Sequence, residues 1–380
     1  MKLILNNAST LKGGSEQVAL SFIRECRKFP EHEYHVVVCE NLAAQINQEE
    51  YPDNFTFHVL DKRPADGLIN WCRKILWFER LASRIKPDCI IATGGHGYWT
   101  PKRIPVVTGF NMPHYVYPES PFIRSQRLKK RIYWSVRAQI DLYFFNRVDV
   151  LFVQTEDVKS RLAARLKTKR ICTISNTLNP VFSESASSTT ECLLPERDDR
   201  IRLLTVSAYY PHKNLEIIPK VLDCLRAHGR NDIVFVLTLK NEDFQRVVPS
   251  RYHDSVLNVG PQPIAKVPGI YQECDFMFLP TLLECFSASY AEAMAMGKPI
   301  ITSDMGFAHT VCQDAALYFD PMNPDFIAES IIRLTSSPDL QAQLVVRGRK
   351  RMKTFGNSED RAREILRICG ETVKNSMKAS

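Results

Sequence analysis

Residues 279–304 read "LPTLLECFSASYAEAMAMGKPIITSD". An apolar strand ends here, a loop follows, an Ala- and Met-rich helix begins near Ser287 or Ser289, and a second apolar strand, "KPIITSD", leaves. Two carboxylates, Glu284 and Glu292, sit eight positions apart. On one helix that interval would place them about 80° apart rather than stacked. Salt-bridge ladders and zinc pairs use three or four positions instead. Ser289-Tyr-Ala-Glu292 also fits a capping box, with Glu292 reaching back to a free backbone N–H. Glu284 reads equally as a solvated loop carboxylate.

The same alternation extends in both directions. Before residue 183, "KLILNN", "HVVVCE", "FTFHVL", "DCIIAT", "IPVVTGF", "DVLFVQT" and "RICTIS" read as buried strands, with helices such as "SEQVALSFIRECRKF" between them. After residue 199 come "RLLTVS", "IVFVLTL", "SVLNVG", "FMFLP", "KPIITSD" and "ALYFDP". Continuous apolar strands separated by helices predict parallel sheets covered on both faces. A Ser/Thr-rich then charged stretch, 183–199, reads as a linker. The expectation is an α/β protein of two doubly wound domains, 1–182 and 200–355, facing each other across a cleft. A final helix, 356–380, is expected to pack back toward the N-terminal domain. Ligands of such folds sit at the carboxyl ends of the strands, where Glu284 falls.

With 380 residues, 44% hydrophobic and 24% charged, the chain can build two full cores. Eleven cysteines are scattered with no CxxC pair, which points to reduced thiols rather than a zinc site or a disulfide framework. "MKLILNNAST" turns polar after five residues, and no run approaches the length of a membrane span, so a cytoplasmic protein is expected. The net charge of +8 is uneven: residues 1–180 carry 27 Lys and Arg against 17 Asp and Glu, leaving −2 for the remainder. An anionic partner is therefore expected for the first half alone.

A helix N-terminus opening onto a cleft favours phosphate. Carboxylates there would repel phosphate but accept strong hydrogen bonds from vicinal hydroxyls. Phosphate in the middle with a diol at each end describes a nucleotide sugar. The segment from Glu284 through Glu292, Ala-Met-Ala, Gly, Lys and Pro to the strand ending Ser-Asp resembles the signature of the retaining GT-B glycosyltransferases of family four, also called group 1. "AALYFDPMNPDFIAESI" (315–331) is similar to the next segment of that family, whose members include enzymes of bacterial surface polysaccharides. The resemblance runs along nearly the whole chain. It implies two facing Rossmann-like domains, Glu292 on the ribose hydroxyls and Glu284 on the donor sugar. The backbone N–H groups of Cys285, Phe286 and Ser287 would cradle the diphosphate.

The same resemblance implies further assignments. In "LLTVSAYYPHKNLEIIPKVL" (203–222), Lys213 matches the family's lysine that neutralises the departing diphosphate, with His212 able to assist. The family's usual Arg five residues earlier is Ala208 here, which removes half of the cationic clamp. In "NASTLKGGSEQVAL" (7–20), Gly13 and Gly14 allow close backbone approach to a ligand, and the family's loop here closes over the diphosphate. His114, after the strand "IPVVTGF", matches the histidine facing the donor sugar; His96 in "ATGGHGYW" competes for that part. Gly260, in "NVGPQPIAKV", lies in a loop the family uses near the base.

Residues 122–145, "FIRSQRLKKRIYWSVRAQIDLYFF", interleave cations with aromatics. They suit an anionic membrane surface, or else a core edge with solvated cations. Nucleic acid is a poorer match. No Asp-x-Asp occurs, in keeping with a reaction that needs neither metal nor bound cofactor, the nucleotide-diphosphate sugar being a co-substrate. The expected activity is transfer of a sugar, with retention, to a glycan or polyprenyl-diphosphate-linked glycan at the inner membrane face. A nucleotide-sugar 2-epimerase and a catalytically silent nucleotide-sugar-binding protein stand as alternatives.

Overall fold

Runs of β-branched and aromatic residues with no polar face can be satisfied only between two layers of helix. Among the described residues thirteen strands form, all of them parallel: β1 (Lys2–Asn6), β2 (Glu33–Cys39), β3 (Phe55–Leu60), β4 (Cys89–Ala92), β5 (Val106–Gly109), β6 (Val150–Val153), β7 (Ile171–Thr173), β8 (Ile201–Thr205), β9 (Ile233–Leu237), β10 (Val256–Asn258), β11 (Phe276–Leu279), β12 (Ile300–Ser303) and β13 (Ala316–Phe319). The computed structural model describes residues 1–10, 13–61, 67–167, 170–184 and 192–379. Its strands form a seven-stranded sheet of order β3-β2-β1-β4-β5-β6-β7 and a six-stranded sheet of order β10-β9-β8-β11-β12-β13. In each, the order reverses beside the first strand, so a crevice opens between the loops leaving β1 and β4, and again between those leaving β8 and β11.

The first unit comprises Met1–Val116, Gln126–Asn176 and Gly356–Ser380. Its core joins Leu3, Val36, Ile91 and Phe152 from the sheet to Phe22 and Ile23 of the helix Gly14–Glu25. The helix Ser358–Ala379 adds Ile365, Leu366 and Cys369 to the same core. The second unit comprises Tyr117–Ser125 and Thr177–Phe355. Leu203, Phe235 and Phe278 of its sheet pack with Ile218, Val221 and Ile331 of the helices Ile218–Ala227 and Pro324–Thr335.

The unit boundaries therefore differ from the linear division at residue 182. Tyr117–Ser125 belongs with the second unit, where Ser120 Oγ donates to the Leu282 carbonyl at 2.7 Å and Tyr117 meets the Phe307 ring edge-on. Of the stretch 183–199, residues 185–191 lie outside the described residues. Its far end is held: Glu273 accepts the N–H groups of Leu193 and Leu194, and Arg197 pairs with Asp275 at 2.8 Å.

Local signals explain the helix ends around the site. Asn323 accepts the N–H of Asp325 at 3.0 Å, capping a helix whose first residue is Pro324. The helix Ala288–Ala295 stops at Gly297, whose φ of +63° permits a Schellman turn: Lys298 N–H reaches the Ala293 carbonyl and Gly297 N–H that of Met294. All eleven cysteines are free thiols. Among the described residues, no helix is long and apolar enough to cross a membrane.

Candidate active site

Lys213 and Glu284 leave the carboxyl ends of neighbouring strands, β8 and β11, at the point where the second sheet reverses its order. After β8 the chain makes a short 3-10 turn, Pro211–Lys213, and Asn214 then takes φ +57°. Asparagine tolerates that left-handed conformation, and its Nδ2 donates to the Pro321 carbonyl at 2.9 Å. The two loops are fastened together by Leu282 N–H donating to the His212 carbonyl at 2.7 Å.

On this frame Lys213 Nζ donates to Glu284 Oε1 at 2.5 Å, with both side chains largely shielded from solvent. Thr281 Oγ lies 3.1 Å from the same carboxylate oxygen and 3.2 Å from the His212 carbonyl, so its one proton is shared between them. The His212 ring stacks on Tyr210 and meets Phe122 edge-on. Burial, ahead of the opposing pull of Glu284, holds its imidazole below the ordinary histidine range.

Glu292 is buried in the helix Ala288–Ala295. Loss of water pushes its carboxyl up to about 7, against the pull of the Tyr271 hydroxyl and the Lys213 ammonium. Tyr271 Oη lies 3.2 Å from Glu292 Oε2. The capping-box reading fails here. The N-cap is Ser287, which puts Glu292 in the second turn, and Ser289 Oγ donates instead to the Val206 carbonyl. Ser287 itself caps with no side-chain hydrogen bond. Among the described residues, no acceptor takes the N–H groups of Cys285, Phe286 or Ser287. Cys285 is buried, and its thiol is driven well above the usual range by burial. Phe286 stands edge-on to Phe355. Gly260, two residues past β10, has φ +70° and open space where a Cβ would stand.

The second unit thus gathers Lys213, His212, Glu284, Glu292 and the backbone of residues 285–287. Gly13, Gly14 and His114 belong to the first unit. Gly13, at φ +100°, precedes the helix that begins at Gly14, and residues 11–12 of that loop lie outside the described residues. His114 sits on the turn Pro113–Tyr115 against Tyr115 and Trp134. His96 is locked in the first unit's core. Its Nε2–H donates to Asp141 at 2.8 Å, its Nδ1 accepts the Tyr98 N–H, and Phe144 stacks on the ring. Asp141 also accepts from the Tyr115 hydroxyl and from Arg137, so His96 belongs to a structural network.

Sequence reading missed Tyr271 and Thr281. Tyr271 meets Glu292 only through the tertiary fold, whereas Thr281 stands three positions before Glu284 in the same loop, in a pattern that does not single it out. An open depression of about 610 Å³ touches Met1, Pro30, Glu33 and Asp88 at the amino ends of the first sheet's strands, the end opposite the loop of Gly13 and Gly14. Among the described residues, no three His, Cys, Asp or Glu side chains gather as a metal set.

Residues 194–351 match the family model described as Glycosyl transferases group 1, and residues 12–181 match that described as Glycosyltransferase Family 4. The chain belongs to the group 1, family 4 glycosyltransferases. A similar curated protein is an uncharacterized glycosyltransferase of Methanocaldococcus jannaschii, 24% identical over 224 residues, or 56% of this chain and 58% of that protein. Two similar solved structures are Anabaena HepE in complex with UDP and glucose, and WaaG, described as a glycosyltransferase involved in lipopolysaccharide biosynthesis. HepE aligns at TM-score 0.70 and 14% identity, over 98% of this chain and 100% of that one. WaaG aligns at TM-score 0.71 and 14% identity, over 96% and 99%. These likenesses bear on the fold, which is GT-B.

Proposed function

We propose that the protein transfers a sugar, with retention, from a nucleotide-diphosphate sugar to a glycan or a polyprenyl-diphosphate-linked glycan in polysaccharide biosynthesis. One observation carries the reading: Lys213, Glu284 and buried Glu292 converge beside unclaimed amides at the reversal point of the second sheet. A carboxyl shut away from water, as Glu292 is, suits an uncharged diol better than a phosphate. The ribose accordingly goes to Glu292, the diphosphate to Lys213 and the amides of residues 285–287, and the sugar hydroxyls to Glu284.

As the anomeric C–O bond breaks, its electron pair passes to the diphosphate and the sugar gains oxocarbenium character. The acceptor oxygen forms the new bond, and its proton ends on the diphosphate. Lys213 and the amides offset the departing charge. His114 and the loop of Gly13 and Gly14, which belong to the first unit, are assigned by the family resemblance to the sugar and the diphosphate. Metal is not required on this reading, so activity is expected to survive EDTA; its loss on chelation and return with a divalent ion would overturn that part.

The acceptor's lipid is proposed to present itself at an anionic membrane. On the helix Leu128–Phe145, Leu128, Ile132, Tyr133, Val136, Ile140 and Tyr143 are all exposed. At about 100° per residue they share one outward arc of roughly 140°, the reverse of an ordinary surface helix. Arg127, Lys129, Lys130 and Arg131 crowd its first turn, and among the described residues none has an acidic partner. Apolar residues with cations beside them match an anionic bilayer interface. A second copy of the chain would bring like charges together.

The transfer reading is tested by a thermal-shift panel of UDP-, GDP- and ADP-sugars, followed by product analysis with and without acceptor. One donor is expected to raise the melting temperature through linkage and to be consumed only with acceptor. Conversion of the donor alone would favour a 2-epimerase.

A further inference from the structure

Lys213 and Glu284 serve different parts of the proposed donor, its diphosphate and its sugar, yet in the unliganded protein each is the other's partner. The ammonium lies 2.5 Å from the carboxylate, with 12% and 13% of the two side chains exposed. We infer that this ion pair makes the site favour the intact nucleotide sugar over the free nucleoside diphosphate, and that its re-formation helps release the product. The inference rests on the donor placement proposed for this site.

A diphosphate arriving alone must draw Lys213 away. Glu284 is then left a shielded carboxylate with only a share of the Thr281 proton, a costly state because little water reaches it. An intact donor takes the same ammonium but returns sugar hydroxyls to Glu284, so no charge is stranded. Once the sugar has moved to the acceptor those hydroxyls leave. Glu284 then draws Lys213 back, and the hold on the diphosphate weakens.

The backbone around the pair is fixed by Leu282 N–H to the His212 carbonyl and by Asn214 Nδ2 to the Pro321 carbonyl. The exchange therefore needs only rotation of two side chains. Position 208 is alanine, and His212 is disfavoured as a cation by burial. The loop after β8 thus brings a single ammonium to the diphosphate, and that ammonium is already engaged.

Isothermal titration of the full-length protein with UDP, GDP and ADP, and with UDP-glucose, GDP-mannose and ADP-glucose, tests this. The parent should bind one intact donor more tightly than its diphosphate. Glu284→Gln frees Lys213 and should tighten that diphosphate about tenfold. Glu284→Ala, checked like the first variant by a melting scan, should move it the same way. Diphosphate affinity that is unchanged or weaker in both variants overturns the inference. Lys213→Ala separates the two levels: if it binds the diphosphate as well as the parent does, or if the parent binds nothing in the panel, the donor placement itself fails.

Discussion

A carboxyl closed off from water and facing a phenol, as Glu292 is, keeps its proton to about pH 7 in the folded protein. The unfolded chain releases it near 4.5. The contribution of Glu292 to folding stability is therefore greatest below 4.5, is lost as pH rises from 4.5 to 7, and is level above that. Glu292→Gln removes the penalty, so at pH 8 the unliganded variant should be more stable by about 3 kcal/mol, with no difference at pH 4, measured by denaturant titration. Equal stability of the two proteins at pH 8 would mean Glu292 is not held as described. Lys213→Ala and Glu284→Ala should each lower kcat about 100-fold, the scale expected for one lost electrostatic contact to a reacting group, and Lys213→Ala, which leaves the shielded Glu284 carboxylate unpaired, should also lower the melting temperature. The spacing of Glu284 and Glu292 and the place of Lys213 after a strand could be read from the chain, with the family resemblance supplying their roles. Tyr271 could not, because it stands 21 positions from Glu292 on another helix. The Ser289-to-Glu292 capping alternative is not realised because a local motif competes with two tertiary partners, Val206 for the serine and Tyr271 for the glutamate.

Strands were the clearest elements in the sequence, since a run buried on both faces carries its signal in every residue. Helix Leu128–Phe145 was less clear: it is apolar both where it meets the core, at Phe144 and Phe145, and where it faces out. Ile132→Asp with Val136→Asp should abolish sedimentation with phosphatidylglycerol vesicles at low salt while leaving the melting temperature nearly unchanged. Retained binding would exclude this helix as the contact. In β5, a Cβ at Gly109 would come within 2.3 Å of the Thr93 carbonyl oxygen and 2.7 Å of the Phe152 ring. Gly109→Ala should accordingly cost about 2–3 kcal/mol, as overpacked cores do; a neutral result in chemical denaturation would show that β4 and β6 can part. The excursion Tyr117–Ser125 was hidden because it is fixed by contacts such as Ser120 to Leu282, 162 positions away in sequence.

Across the whole molecule, chain order and unit membership part company at the C-terminus, where Ser358–Ala379 returns to the first unit's core. Ile365, Leu366 and Ile368 are fully or nearly fully buried there, each worth about 2 kcal/mol of apolar burial, a sum comparable with the stability of a whole domain. Leu366→Asp should therefore unfold the first unit and abolish transfer, while nucleotide still shifts the melting of the second. Two doubly wound units were readable from thirteen strands and one polar stretch, and the last helix packs with the first unit as expected. Every assigned role depends on where the donor sits, and a crystal structure of the protein with its bound nucleotide-diphosphate sugar decides it. Ribose hydroxyls within hydrogen-bonding distance of Glu292, diphosphate oxygens at Lys213 and the amides of residues 285–287, and sugar hydroxyls at Glu284 are predicted. A donor bound elsewhere, with the Lys213–Glu284 pair intact and Glu292 untouched, would contradict it.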